Sequence, residues 1–128
     1  MSKFALENID LVKGPIRFKK LVIDGFCQFD AFCDQIEHEG NLHKQLVGLF
    51  ANMNQVALMK RLPAAKFRDI TPAREHVKEF EIKKGDLRVY LIKEEAHIVI
   101  IVGKKSGQAN DIRTFRSIKR RYLDSKAK

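Results

Sequence analysis

The run "HIVIIVG", His97 to Gly103, constrains this chain more than any other feature. Ile and Val fall on both of its alternating faces, so neither side suits water, and the run predicts a central strand of a sheet. The strand before it, "LRVYLI" (87–92), puts Leu87, Val89 and Leu91 on one face and Arg88, Tyr90 and Ile92 on the other. Earlier still, "HVKEFEI" alternates imperfectly through Val77, Phe80 and Ile82. Lys84-Gly85-Asp86 and Glu94-Glu95 supply the turns. Residues 79–105 therefore predict a three-strand antiparallel meander whose turns and ends carry Lys83, Lys84, Lys104 and Lys105.

Upstream, "FALENIDLVKG" reads either as a short strand or as an irregular lead-in. "IRFKKLVIDG" is a strand whose alternation slips at Lys19-Lys20, predicting a bulge there, and Asp24-Gly25 ends it. Phe29, Phe32, Cys33 and Ile36 recur at helical spacing. Glu39-Gly40-Asn41 breaks that helix, with Asn41 as cap of a second helix over 42–61. Leu42, Leu46, Leu49, Phe50, Met53, Val56 and Ala57 form the second helix's stripe, and Leu62-Pro63 ends it. The two should form an antiparallel pair. After the meander, Gly103 to Gln108 is a loop. A last helix then carries Ile112, Phe115, Ile118 and Tyr122 on one face and Arg113, Arg116 and Arg120 on another. The order is strand, helix, helix, three strands, helix: a single α+β domain with helices packed on an antiparallel sheet.

The net charge of +9 points to a polyanionic or acidic partner. Residues 104–128 hold nine Lys or Arg against two acids, a net +7, so most of the excess lies in the last helix and its lead-in. No apolar run approaches the roughly 20 residues that cross a bilayer. "MSKFALENID" has no apolar signal core, and Cys27 and Cys33, six apart in a helical segment, are badly placed for a disulfide. A cytoplasmic protein with two reduced cysteines is the expectation.

Phosphate-binding glycine loops, H-E-x-x-H, paired C-x-x-C and G-x-S-x-G are all missing from the sequence. The four histidines, His38, His43, His76 and His97, show no metal-ligand spacing and read as surface or turn residues. No metal and no cofactor is expected. What remains is cationic. Arg88 lies mid-strand between apolar residues, where a guanidinium needs an anion or a carboxylate, and its planar fork suits a phosphate. The alternative puts Arg88 on an exposed sheet face, paired with Glu79 or Glu81 across the hairpin.

"FEIKKGDLRVYLI", "HIVIIVGKKSGQ" and the basic last helix together resemble the RelE/ParE superfamily of bacterial toxins, HigB-like members included. The likeness covers roughly residues 16–124 and is most specific over 79–122. It implies a RelE-like fold preceded by an extension over residues 1–15, and a toxin neutralised by a cognate antitoxin protein. RelE-like and HigB-like members cut mRNA in the ribosome without metal, using the RNA 2′-hydroxyl as nucleophile. Carried over, Arg88 would stabilise the developing phosphate charge, with Lys104 and Lys105 as the basic loop that follows. Lys83 and Lys84 would bind the RNA backbone, joined by Arg113, Arg116 and Arg120. Tyr122 would stand in for a C-terminal aromatic base or stacker, although it also fits the helix's apolar stripe. The chain departs from the family in its first 15 residues, in having Lys pairs where Arg is common, and in lacking a histidine in the loop or C-terminal positions. ParE-like relatives inhibit DNA gyrase instead, so a non-enzymatic gyrase inhibitor or basic RNA-binding module is the alternative.

Overall fold

The computed structural model describes residues 2–127. Its elements, in chain order, are β1 (Phe4–Asn8), β2 (Phe18–Ile23), α1 (Gln28–Ile36), α2 (Gly40–Ala57), β3 (Phe67–Asp69), β4 (Glu79–Lys84), β5 (Leu87–Lys93), β6 (His97–Lys104) and α3 (Gln108–Lys126). A short 3-10 turn, Lys105–Gly107, links β6 to α3. The strands form one six-stranded sheet in the order β1-β2-β6-β5-β4-β3.

The α+β class and the meander match expectation. The expected wholly antiparallel sheet does not, because β2 lies parallel to β6, with Phe18 opposite His97 and Lys20 opposite Val99. The chain leaves β2 through two helices and an outer strand before returning, and such a long connection permits a parallel return that a hairpin forbids. Two further strands were not resolved from the sequence. Residues 4–8 form an edge strand in unbroken register with β2, Phe4 opposite Ile23 through Asn8 opposite Lys19, so there is no bulge at Lys19-Lys20. The bulge falls in β6 instead: Tyr90 pairs with Ile101 but Leu91 with Val99. The extra residue turns both Ile100 and Ile101 toward the same core cluster. The other added strand is β3, which pairs with β4.

The helices also differ at their ends. Helix α2 starts at Gly40, with Glu39 rather than Asn41 at the cap position, and stops at Ala57. Met59 takes a left-handed backbone (φ 62°) and its N–H donates to the Val56 carbonyl, which closes the helix before Pro63 is reached.

The sheet separates two cores. On one side Ile82, Leu87, Val89, Leu91, Val99 and Val102 pack under α1 and α2 with Phe29, Ile36, Leu49 and Met53. On the other, Tyr90, Ile92, Ile98, Ile100 and Ile101 pack under α3 with Phe115 and Tyr122. This is why β6 is apolar on both faces: it lies between two strands and between two helical layers.

Candidate nucleic-acid interface

The cationic candidates gather at one end of the sheet, around the β4–β5 turn. Gly85 supplies that turn with a positive φ of 56° that a side chain would resist. The two-residue loop sets the register: Lys83 pairs with Arg88, Lys84 with Leu87. On the far side of β5, Arg88 faces Gly103 and Leu87 faces Lys104. Because side chains alternate, Lys83 and Arg88 share the α3 face, whereas Lys84 and Lys104 share the α1/α2 face. The plane of the sheet thus separates Lys83 and Arg88 from Lys84 and Lys104, four of the residues the resemblance assigns to RNA.

Arg88 is buried, with 8% of its surface exposed. The exposed-face alternative therefore fails, and Arg88 makes no ion pair with Glu79 or Glu81. Its Nη1 donates to the carbonyls of Gly85 (2.7 Å) and Leu87 (2.9 Å), and its Nε has no partner. Two residues along the same face, the buried Tyr90 hydroxyl also lacks a partner. Burial, with the nearby Glu81 carboxylate, holds the Tyr90 phenol well above its ordinary value. The Asp111 carboxylate of α3 occupies the space that a Cβ on Gly103 would fill, which explains the glycine opposite Arg88. Burial raises the Asp111 carboxyl above the usual carboxylate range.

The two glutamates of β4 are fully buried and hold the helix to the sheet. Glu79 accepts from Arg116 Nε (2.9 Å) and Lys119 Nζ (2.8 Å). Glu81 accepts from Arg68 (3.1 Å) and from the Gln108 amide (2.6 Å), with Lys83 Nζ at 3.7 Å. Among the described residues, Arg88 is thus a buried cation with no carboxylate within ion-pair distance, beside strands whose acids are already engaged.

The other candidates are scattered. The stem of Lys84 lies against Gly48 of α2. Lys104 reaches Glu39 at 3.9 Å. With Lys105, Asn41 and Asp86 it lines a cleft of about 390 Å³ on the α1/α2 side. On α3, Arg113 and Arg120 are exposed, but Arg116 is drawn back to Glu79 and the Ile70 carbonyl. Tyr122 belongs to the core at 5% exposure, its ring edge-on to Phe4 at 5.8 Å. Eleven helical residues, roughly 16 Å, separate Tyr122 from the Asp111 that covers Gly103, so Tyr122 is not part of the Arg88 site. His97, expected at a surface or turn, is buried at 6% exposure.

Sequence reading missed the actual partners of Glu79 and Glu81: Arg68, Gln108, Arg116 and Lys119. A signal was present. Glu79, Glu81 and Lys83 alternate along one face of β4, and Lys119 falls between Phe115 and Tyr122 on the apolar stripe of α3. A cation there predicts a buried acid opposite.

No family model, curated protein or solved structure matches the chain. Among the described residues no helix is long and apolar enough to cross a membrane, and no three His, Cys, Asp or Glu side chains group as a metal site.

Proposed function

We propose that this chain is the toxin of a toxin–antitoxin pair that cuts mRNA on the ribosome, with the RelE-like arrangement its resemblance implies. One observation carries the reading: Arg88, buried and without a carboxylate partner, stands directly across β4–β5 from Lys83. A guanidinium fixed by two carbonyls, with no carboxylate within ion-pair distance among the described residues, is preorganised for a developing phosphate charge. The 2′-hydroxyl of the RNA supplies the nucleophile. Lys83 adds positive charge on the same face, while Lys105, Arg113 and Arg120 are exposed for the RNA backbone. The antitoxin would cover this basic end.

The test is primer extension on ribosome-bound mRNA. Arg88→Ala should lower cleavage by about 100-fold or more. Lys105→Ala, at an exposed position with no ion pair among the described residues, should cause a smaller loss with an unchanged melting temperature, which separates chemistry from folding. Equal cutting by wild type and Arg88→Ala removes Arg88 from the mechanism, and no cutting by the wild type ends the nuclease reading.

The position of Tyr122 favours a second reading. The one aromatic matched to a family base lies in the core, away from Arg88. A non-enzymatic module that grips RNA or gyrase needs the charge but no base. It would inhibit growth with Arg88→Ala as well as with the wild type, and leave no cut RNA ends.

A further inference from the structure

At the opposite end of the sheet, on the α1/α2 face, three aromatic rings stand in a row across the strands. Phe67 of β3 stacks on Phe80 of β4 (4.9 Å, 23°), and Phe80 stacks on His97 of β6 (5.8 Å, 2°). Burial and the nearby Lys93 hold the His97 imidazole down to about 4, so at neutral pH it stands in the row as an uncharged ring. Beside the row lies an open cleft of about 500 Å³, lined also by Ile16, Val56 and the residues that follow α2. That size suits a small organic ligand. At its rim sits Met59, 70% exposed, where the chain leaves α2.

The rim charges have a sign. Lys60 and Lys93 line the cleft and are exposed, and neither has an ion-pair partner among the described residues. Of the two acids there, Glu94 is already held by Lys126 at 2.8 Å, which leaves Glu95 alone against two lysines.

We infer that this cleft binds a nucleobase carrying a phosphate, the base packed against the Phe67–Phe80–His97 row and the phosphate on Lys60 and Lys93. Every base presents a flat face, so such a site takes purine or pyrimidine with little preference. Six residues of β6, roughly 20 Å, separate His97 from Gly103 opposite Arg88, so one nucleotide does not span both places. The inference does not rest on the nuclease reading. The same chemistry is offered by a free nucleotide and by a nucleotide within an RNA chain.

Amide chemical shifts of the full chain, titrated with AMP and separately with a 5′-phosphorylated tetra-adenylate, test it. Millimolar AMP should move the signals of Phe67, Phe80, Lys93 and His97 and leave those around Arg88 in place. Phe67→Leu keeps apolar volume at a half-buried edge-strand position and should weaken binding by about tenfold or more. Lys93→Glu, at an exposed site, should do the same without moving the melting temperature. Binding of the tetranucleotide alone assigns the site to RNA chains, and binding of both admits free nucleotides. The inference is overturned if neither ligand moves these signals, or if Phe67→Leu binds as tightly as wild type. Arg88→Ala leaves this binding intact, so loss of cleavage and loss of this site are read separately.

Discussion

The buried charges divide into those with a partner and the one without. Lys119, 3% exposed, and Glu79, fully buried, hold each other between α3 and β4. Lys119→Ala strands a buried carboxylate with Arg116 alone, and should cost about 3–5 kcal/mol in urea unfolding. Glu79→Leu with Lys119→Leu should cost much less than the two single changes added together, because apolar side chains of similar size replace the pair. His97 gives a pH signature. Its folded-state value is about 4 against 6.5 for a free imidazole. Between those values the unfolded chain binds a proton that the folded chain refuses. Stability is therefore full above about pH 6.5, falls as the pH drops toward 4, and levels below that. His97→Phe keeps a ring in the row and should remove that slope from the denaturant midpoint measured against pH. The thiols point the same way: burial pushes Cys33 up to about 12 and raises Cys27, so both should alkylate slowly at pH 7. At this scale the sequence marked Arg88 as anomalous. It did not reveal that β4's own acids were spoken for, since their partners lie 13 to 40 residues away.

Among the elements, the central strand β6 was legible because its apolar pattern is local, whereas its neighbours were not. Strand β2 reaches only as far as Val99 along β6. Beyond it, the Gln28 side chain at the start of α1 takes the place of a strand. Its amide donates to the Val102 carbonyl (2.7 Å), and its oxygen accepts the Val102 N–H (2.8 Å). Gln28→Leu leaves both backbone groups unpaired at a half-buried site and should cost about 1–3 kcal/mol. Residues 1–15, expected to precede the fold, contribute to it. Strand β1 covers the edge of β2, and Ile9 and Val12 are buried in the α1/α2 core. Deleting residues 2–12 removes both side chains, each worth about 1.5–3 kcal/mol, and bares the edge of β2. The shortened chain should melt lower and associate, as light scattering during a thermal scan would show. Neither role was readable beforehand. Gln28 looks like any polar residue at a helix start, and β1's exposed side chains carry no alternation.

The whole molecule is a sheet with a basic end, one helical layer on each side, and most of its excess charge over residues 104–128, the last helix and its flanks. RNA affinity should fall linearly on a log–log plot against salt. Replacing the exposed Arg113 and Arg120 together with Ala should lower the slope by about 1.4, at roughly 0.7 per single-strand phosphate contact, measured by fluorescence anisotropy. The two resulting changes in binding should add, since seven helical residues, roughly 10 Å, separate the side chains. What the sequence determined by itself was local: periodicity named β2, the three strands of the meander, the three helices and their turns, and the count of charges set the net charge of +9. Only the tertiary structure decided which face each cation occupies. The two-residue turn at Gly85 and the pairing of β5 with β6 put Lys83 and Arg88 on one side, Lys84 and Lys104 on the other. That outcome depends on register and on which helix covers which face, and both are set by contacts between residues far apart in the chain, which no short window of sequence contains.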